Sequence, residues 1–299
     1  MAQPTPQGGC HSTKWCSAQV NHTMTDQSPV HDHNRRVWNQ MVQKRKRFTR
    51  PAKDEDFQNP LATVDAIGWL GGDIRGRELL CLAAGGGRQS ALYAAAGAKV
   101  TVVDISPGML EVDREVAAER GLDVRTVEAS MDDLSMLGDA QFDIVIHPVS
   151  TCYVPDIRPV YREVARVMVA GGLYINQHKQ PASLQADVDA SPRGYEVAEP
   201  YYRTDPLPAV QGSRLREEGT LEFLHRWEQL IGELCRAGFV IEDLVEPLHA
   251  EAEADRGSFA HRSSYFAPYV RIKARRVGQA SNDPANNAPS AQIWTPHEE

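Results

Sequence analysis

The chain is short of cysteine, of long apolar runs and of positive charge, and each shortage removes a class of protein. Five cysteines (Cys10, Cys16, Cys81, Cys152 and Cys235) occur in 299 residues without a CxxC pair. That usage excludes a disulfide framework and suits a reducing, cytoplasmic setting. Cys10 and Cys16 stand near His11, His22, His31 and His33, but in a spacing that matches no common zinc pattern, so no metal is expected. Cys81 and Cys235 fall in apolar patterns and read as core residues. No window approaches the ~18 consecutive apolar residues of a transmembrane helix. The N-terminus lacks a basic region followed by an apolar run, so neither a membrane partner nor a secretory signal is expected. Net charge is −8, which argues against broad electrostatic binding to nucleic acid. No internal repeat, nucleophile triad or metal motif is legible, and nothing in the sequence sets the oligomeric state.

What is present is a hydrophobic fraction of 41%, enough for a sizeable core, arranged in alternating strand and helix signals. Residues 1–30 and 278–299 are polar and read as disordered tails around one domain over 31–277. A helix is expected from His33 to Phe48, carrying the basic run Lys44, Arg45, Lys46, Arg47 and Arg50, which reads as a solvated face. A short helix over Leu61–Leu70 precedes strand one, Leu79–Ala83. Helix Arg88–Ala96, strand Val100–Val103, helix Pro107–Arg120, strand Val124–Val127 and strand Phe142–Ile146 follow. Helix Ile157–Val169, strand Leu173–Ile175, helix Thr220–Ala237 and strands Phe239–Val245 and Tyr269–Ala274 complete the series. Such alternation predicts an α/β fold, a doubly wound, mostly parallel seven-stranded sheet covered on both faces. Residues 177–217, rich in proline and aromatics, interrupt it and read as a lid insert after strand five, with Tyr195, Tyr201 and Tyr202 as pocket residues.

The densest signal runs from Glu78 to Leu110, ELLCLAAGGGRQSALYAAAGAKVTVVDISPGML. An apolar strand enters a glycine turn at Gly85, Gly86 and Gly87, a helix follows, and a second strand ends on Asp104. Glycines let the backbone approach a ligand closely. A carboxylate at the end of the second strand can accept hydrogen bonds from both hydroxyls of a ribose. The turn alone fits either NAD, as in an NAD-dependent oxidoreductase, or S-adenosylmethionine.

The ordered set CLAAGGGRQS, VTVVDIS with SPGMLEVDREVA, FDIVIHPVSTCYVPD and YREVARVMVAGGLYI, followed by GELCRAGFVIEDLVEP and YVRIKARRV, resembles the class I S-adenosylmethionine-dependent methyltransferases. Cys81 replaces the acidic residue common in the family's first strand, and Ala83 replaces the first glycine of its turn. The resemblance implies S-adenosylmethionine as cofactor, contacted by Ala83, Gly85, Gly87, Asp104, Ile105, Ser130, Met131 and His147. Ser130, or its neighbour Asp132, stands where the family has an acidic residue for the adenine amino group. The N-terminal helix is expected to close the site with Trp38 or Arg36.

Methyl transfer needs a general base only when the nucleophile is protonated at neutral pH. His147, just after strand four and before Pro148, is expected to face the cleft as that base; Tyr153, on the same loop, and His225 are the other candidate catalytic groups. Ser150, Thr151 and Cys152 are candidate substrate contacts. The loop reads HPVS rather than the Asn/Asp-Pro-Pro-aromatic signature of enzymes that methylate exocyclic amines of bases or related amides. With the acidic charge, this favours a small-molecule acceptor over DNA or RNA. A non-catalytic scaffold or sensor of the same fold is the alternative that Cys81 and Ala83 motivate.

Overall fold

The computed structural model describes residues 28–278. Five apolar segments form parallel strands: β1 (Glu78–Leu82), β2 (Lys99–Asp104), β3 (Val124–Glu128), β4 (Phe142–His147) and β5 (Met168–Lys179). With β6 (Phe239–Val245) and β7 (Tyr269–Arg276) they make a seven-stranded sheet in the order β3-β2-β1-β4-β5-β7-β6. Only β7 is antiparallel to its neighbours. The order reverses beside β1, which pairs with β2 on one side and β4 on the other. Ligands of open α/β sheets bind outside the carboxyl ends of the strands at such a point.

Helices α1 (Ser28–Gln43), α2 (Pro60–Val64), α3 (Gln89–Ala95), α4 (Pro107–Arg120) and α5 (Arg158–Val167) account for most of the covering layers. α4 starts where the sequence requires: Ser106 caps it by accepting from the Met109 amide, and Pro107 sits in its first turn. Gly121 ends it in the left-handed conformation at φ 63°. Side chains alternate between two apolar layers. Leu80, Leu82 and Val145 pack under α5 with Val160, Tyr161 and Val164. Leu79, Cys81, Val100 and Ile146 face the other way with Ile74 and Tyr93.

Four expected elements differ. The first helix stops at Gln43 rather than Phe48, because Arg45 turns to φ 47° and the Lys46 amide bonds back to the Met41 carbonyl at 3.0 Å. The basic run therefore lies beyond the helix. The helix expected over Leu61–Leu70 is limited to α2, since Asp65 takes the Trp69 and Leu70 amides on its side chain at 2.8 Å each. The Gly-Gly segment belongs to β5: the ladder pairs Met168 with Phe142 and resumes at Leu173 opposite Ile144, with Gly171 at φ 78° forming the irregularity. The expected helix from Thr220 is extended as far as Arg226 and helical only from Trp227, through a π-turn at Glu228–Gly232 leading into α6 (Glu233–Arg236). Glu222, Phe223, Leu224 and His225 are all buried, and the backbone pairs outward, Phe223 N–H to Cys152 O and Leu207 N–H to Glu222 O, both at 2.7 Å. A segment covered on both sides satisfies its backbone elsewhere and shows no single helical stripe. Cys81 is buried as expected, but Cys235 is exposed. Cys10, Cys16, His11 and His22 lie outside the described residues.

Candidate active site

A cavity of about 650 Å³ opens at the carboxyl edge of the sheet, beyond β1, β2 and β3 and beside the loop after β4. One end is built by the glycine turn. The Gly85 amide donates to Asp104 Oδ2 at 3.0 Å, and the Gly86 and Gly87 amides donate to the two oxygens of Asp113 at 2.9 and 3.0 Å. Ser90 Oγ adds a further donor to Asp113. A Cβ on Gly85 would stand 2.7 Å from Met109 Cβ, and one on Gly87 would stand 2.8 Å from Val116 Cγ2, so both positions exclude any side chain. Ala83 holds φ 48°, a conformation glycine adopts without strain. The second carboxylate of the turn, Asp113, carries no motif of its own. Its place on α4 nine residues after Asp104, on the helix facing the glycines, is the only signal the sequence offers.

Asp104 is buried at the end of β2 and lines the cavity. Its Oδ1 accepts from the Ser106 amide at 2.9 Å and its Oδ2 from Gly85. Burial pushes its carboxyl up to about 6, while the backbone donors pull it back. Ile105, Ser130 and Met131 continue the wall. Ser130 Oγ donates to Asp132, whose other oxygen meets His31 Nε2 of α1 at 3.1 Å. Burial raises the Asp132 carboxyl, but the hydrogen bonds from His31 and Ser130 outweigh it and hold it below its ordinary value. α1 thus closes this end. Trp38 lines the cavity and packs edge-on against Tyr153 at 5.7 Å between ring centroids, whereas Arg36 is exposed and does not line it.

The other end is formed by Ser150 and Tyr153 after β4 and by Arg214 and Glu217 of the insert. Tyr153 Oη donates to Glu217 Oε2 at 2.6 Å. The same oxygen receives Lys179 Nζ at 2.7 Å, and Lys179 also meets Glu222 Oε1 at 3.0 Å, with Arg216 Nε on the far oxygen of Glu222 at 3.3 Å. Two cations and two carboxylates therefore balance in a buried cluster. Burial pulls the Lys179 ammonium down, but Cys152 and the two carboxylates raise it above its ordinary value overall. Burial raises Glu217, and Lys179 brings it below its ordinary value. Burial pushes the Tyr153 hydroxyl well up, so it stays a donor. Sequence reading missed Lys179, Glu217 and Glu222: Lys179 lies 38 residues before Glu217 and meets the two glutamates only in the fold.

The expected site residues divide accordingly. Ala83, Gly85, Asp104, Ile105, Ser130, Met131 and Tyr153 line the cavity. Gly87 does not; its amide is spent on Asp113. His147 does not face the cleft. It ends β4 on the Val145 side, fully buried, with Nδ1 2.7 Å from Tyr174 Oη, and burial drops it to about 3, too weak for a base at neutral pH. His225 is buried too, with Nε2 2.9 and 3.0 Å from the Thr151 and Val154 carbonyls, and it serves the loop rather than the cavity. Thr151 is paired with His178 at 2.7 Å, and Cys152 is a buried thiol pushed up by its burial. Tyr195 packs on His261 and Tyr265, and Tyr201 accepts from the Trp227 amide; neither they nor Tyr202 line the cavity. Among the described residues no group of three or more His, Cys, Asp or Glu side chains is placed to hold a metal ion.

A family model for a methyltransferase domain matches residues 80–176. The chain is 35% identical over 208 residues to the uncharacterized methyltransferase YbaJ of Bacillus subtilis (strain 168), covering 68% of this chain and 78% of that protein. It is 31% identical over 160 residues to the ubiquinone biosynthesis O-methyltransferase of Bordetella avium (strain 197N), covering 50% of this chain and 66% of that one. In fold it matches the S-adenosylmethionine-dependent methyltransferase of Mesorhizobium loti, with a TM-score of 0.57 at 20% identity over 71% of this chain and 97% of the other. The chain belongs to the class I S-adenosylmethionine-dependent methyltransferases.

The residues present fit that cofactor. Each Asp104 oxygen accepts one of these backbone donors and keeps a lone pair for a ribose hydroxyl. The turn has no side chain at Gly85 to obstruct it. The two departures from the family pattern leave this intact: Cys81 points into the core, and Ala83 preserves the turn.

Proposed function

We propose that this protein transfers the methyl group of S-adenosylmethionine to a small-molecule acceptor bound in the same cavity. The carrying observation is continuity: one cavity of about 650 Å³ runs from Gly85, Asp104 and Ser130 to Tyr153 and Glu217. That volume suits a nucleoside together with a small acceptor. When bound, the cofactor supplies both the electrophilic methyl group and its leaving group, so the protein's task is alignment and exclusion of water. In this reading Asp104 holds the ribose, and Ile105, Ser130 and Met131 flank the adenine. Trp38 and the insert, through Arg214 and Glu217, cover the cavity. Glu217, held by Tyr153 and Lys179 and lowered by that pairing, is too weak a base to take a proton and instead accepts a hydrogen bond from the acceptor. Tyr153 orients it. The net charge of −8 and the HPVS loop support a small molecule rather than a nucleic acid. Among the described residues no helix is long and apolar enough to cross a membrane. Cysteine usage supports a cytoplasmic setting.

Calorimetric titration with S-adenosylmethionine, S-adenosylhomocysteine and NAD tests the proposal, followed by an acceptor screen read by S-adenosylhomocysteine release. Micromolar binding of the first two without NAD, then turnover of a small acceptor, is expected. Binding of none, or tight cofactor binding with no acceptor turned over, would leave the scaffold reading in its place.

A further inference from the structure

The acceptor end of the cavity is basic and aromatic in a chain whose net charge is −8. Arg47, Arg50 and Arg214 line the cavity, Arg214 from the insert and Arg47 from the segment whose Phe48 carbonyl lies beside Gly86, and none has a carboxylate within 4.0 Å among the described residues. Most other arginines of the molecule are paired: Arg88 with Asp56, Arg158 with Asp156, Arg166 with Glu163. Arg214 lies over the Phe259 ring at 5.4 Å, and Arg47 over Phe48 at 5.1 Å. Phe259, His249 and Tyr269 form one aromatic cluster, with His249 5.5 Å from each of the other two rings. Arg47 and His249 line the same cavity, and burial lowers the His249 imidazole, with Arg271 and Arg47 lowering it further. Arg271 donates to Gln177 Oε1 at 2.7 Å. The acidic groups here are Glu217, neutralised by Lys179, and Glu251, exposed at the rim. Phe48 and Leu248 line the opening with 47% and 86% of their surface exposed.

We propose that the acceptor is an apolar anion: an aromatic or aliphatic body seated against His249, Phe259 and Tyr269, carrying an oxyanion received by Arg47 and Arg214. This rests on the methyltransferase reading and names the chemical class of its acceptor. Unpaired guanidinium groups at a cavity mouth attract oxyanions and bind them bidentately. Aromatic faces beside them hold the apolar body without fixing its identity. Arg47 reaches this position because the chain leaves α1 at Arg45, which carries the basic run to the cavity.

Two probes share an aromatic body and differ in charge: 1-anilinonaphthalene-8-sulfonate and neutral N-phenyl-1-naphthylamine. Their binding is followed by fluorescence on the full chain saturated with S-adenosylhomocysteine, whose own binding is measured separately. The sulfonate should bind at least tenfold more tightly than the neutral probe. In the Arg47→Gln/Arg214→Gln variant that ratio should fall towards one, with the neutral probe's affinity retained. Equal binding of the two probes, or a ratio unchanged in the variant, overturns the proposal. Because cofactor binding is read independently, those outcomes leave the methyltransferase reading standing, whereas failure of S-adenosylhomocysteine to bind would remove that reading instead. Both arginines are exposed, so the variant retains the fold.

Discussion

At the residue scale, Asp104 links structure to a measurable pH dependence. Its carboxyl is raised to about 6, chiefly by burial. The ionised form is the one that accepts both ribose hydroxyls, so affinity should be full above pH 6 and lost as pH falls through it. At pH 5, one unit below, S-adenosylhomocysteine should bind about tenfold more weakly than at pH 7. In Asp104→Asn the affinity should be low and flat over the same range, because an amide offers one acceptor where two are needed. Calorimetry from pH 5 to 8 decides this. A second test concerns Ala83, which pays for a left-handed conformation that glycine adopts freely. Ala83→Gly should raise stability by about 1 kcal/mol in urea denaturation and leave cofactor affinity unchanged. Asp104 and the glycines were legible because a turn that approaches a ligand dictates residue type locally. Asp113 was not, because a carboxylate that buttresses the turn from α4 looks like any other helical aspartate.

At the scale of elements, α1 is held to the rest of the fold by two buried or part-buried amides. Asn34 donates to the Tyr153 and Leu221 carbonyls, both at 3.1 Å, and accepts from the Leu221 amide at 2.8 Å. Asn39 Oδ1 accepts from Ser106 Oγ at 2.7 Å and from the Gly108 amide at 3.1 Å, at the start of α4. Asn34 therefore fixes both α1 and the loop carrying Tyr153. Asn34→Ala leaves buried backbone groups without partners and should cost about 2 kcal/mol. It should also speed hydrogen exchange in α1 and weaken cofactor binding, since Trp38 and His31 lose their anchor. Unaltered exchange in α1 would show that the helix is held by packing alone. The helix was visible in the sequence by its apolar side. Its end was not, because the stop at Arg45 is a backbone conformation rather than a residue pattern.

At the scale of the molecule, the cluster of Lys179, Glu217, Glu222 and Arg216 joins the end of β5 to the insert and, through Tyr153, to the loop after β4. Lys179 is 1% exposed and Glu222 fully buried. Removing one charge strands the others in a medium that penalises them. Lys179→Met should lower stability by roughly 3–5 kcal/mol, read by chemical denaturation. A loss below 1 kcal/mol would mean that water reaches the cluster. The double variant Lys179→Met/Glu217→Gln should recover part of the loss, because Glu217 is the carboxylate left without a cation, whereas Glu222 keeps Arg216.

Chain-local chemistry determined the strands, the glycine turn, Asp104 at the end of β2 and the capped helix α4. Continuous apolar runs such as ELLCL, a glycine run free to take positive φ and a serine-proline start each act within a few residues. Only the tertiary structure decided which groups face the cavity. A strand residue beyond the apolar run points to one of two faces, and the packing of α5 and Tyr174 turned His147 inward. The extended course of residues 220–226, the meeting of Lys179 with Glu217, and the delivery of Arg47 to the cavity depend on contacts between segments distant in sequence. Burial and pairing across such distances are properties of the assembled fold, and no local pattern encodes them.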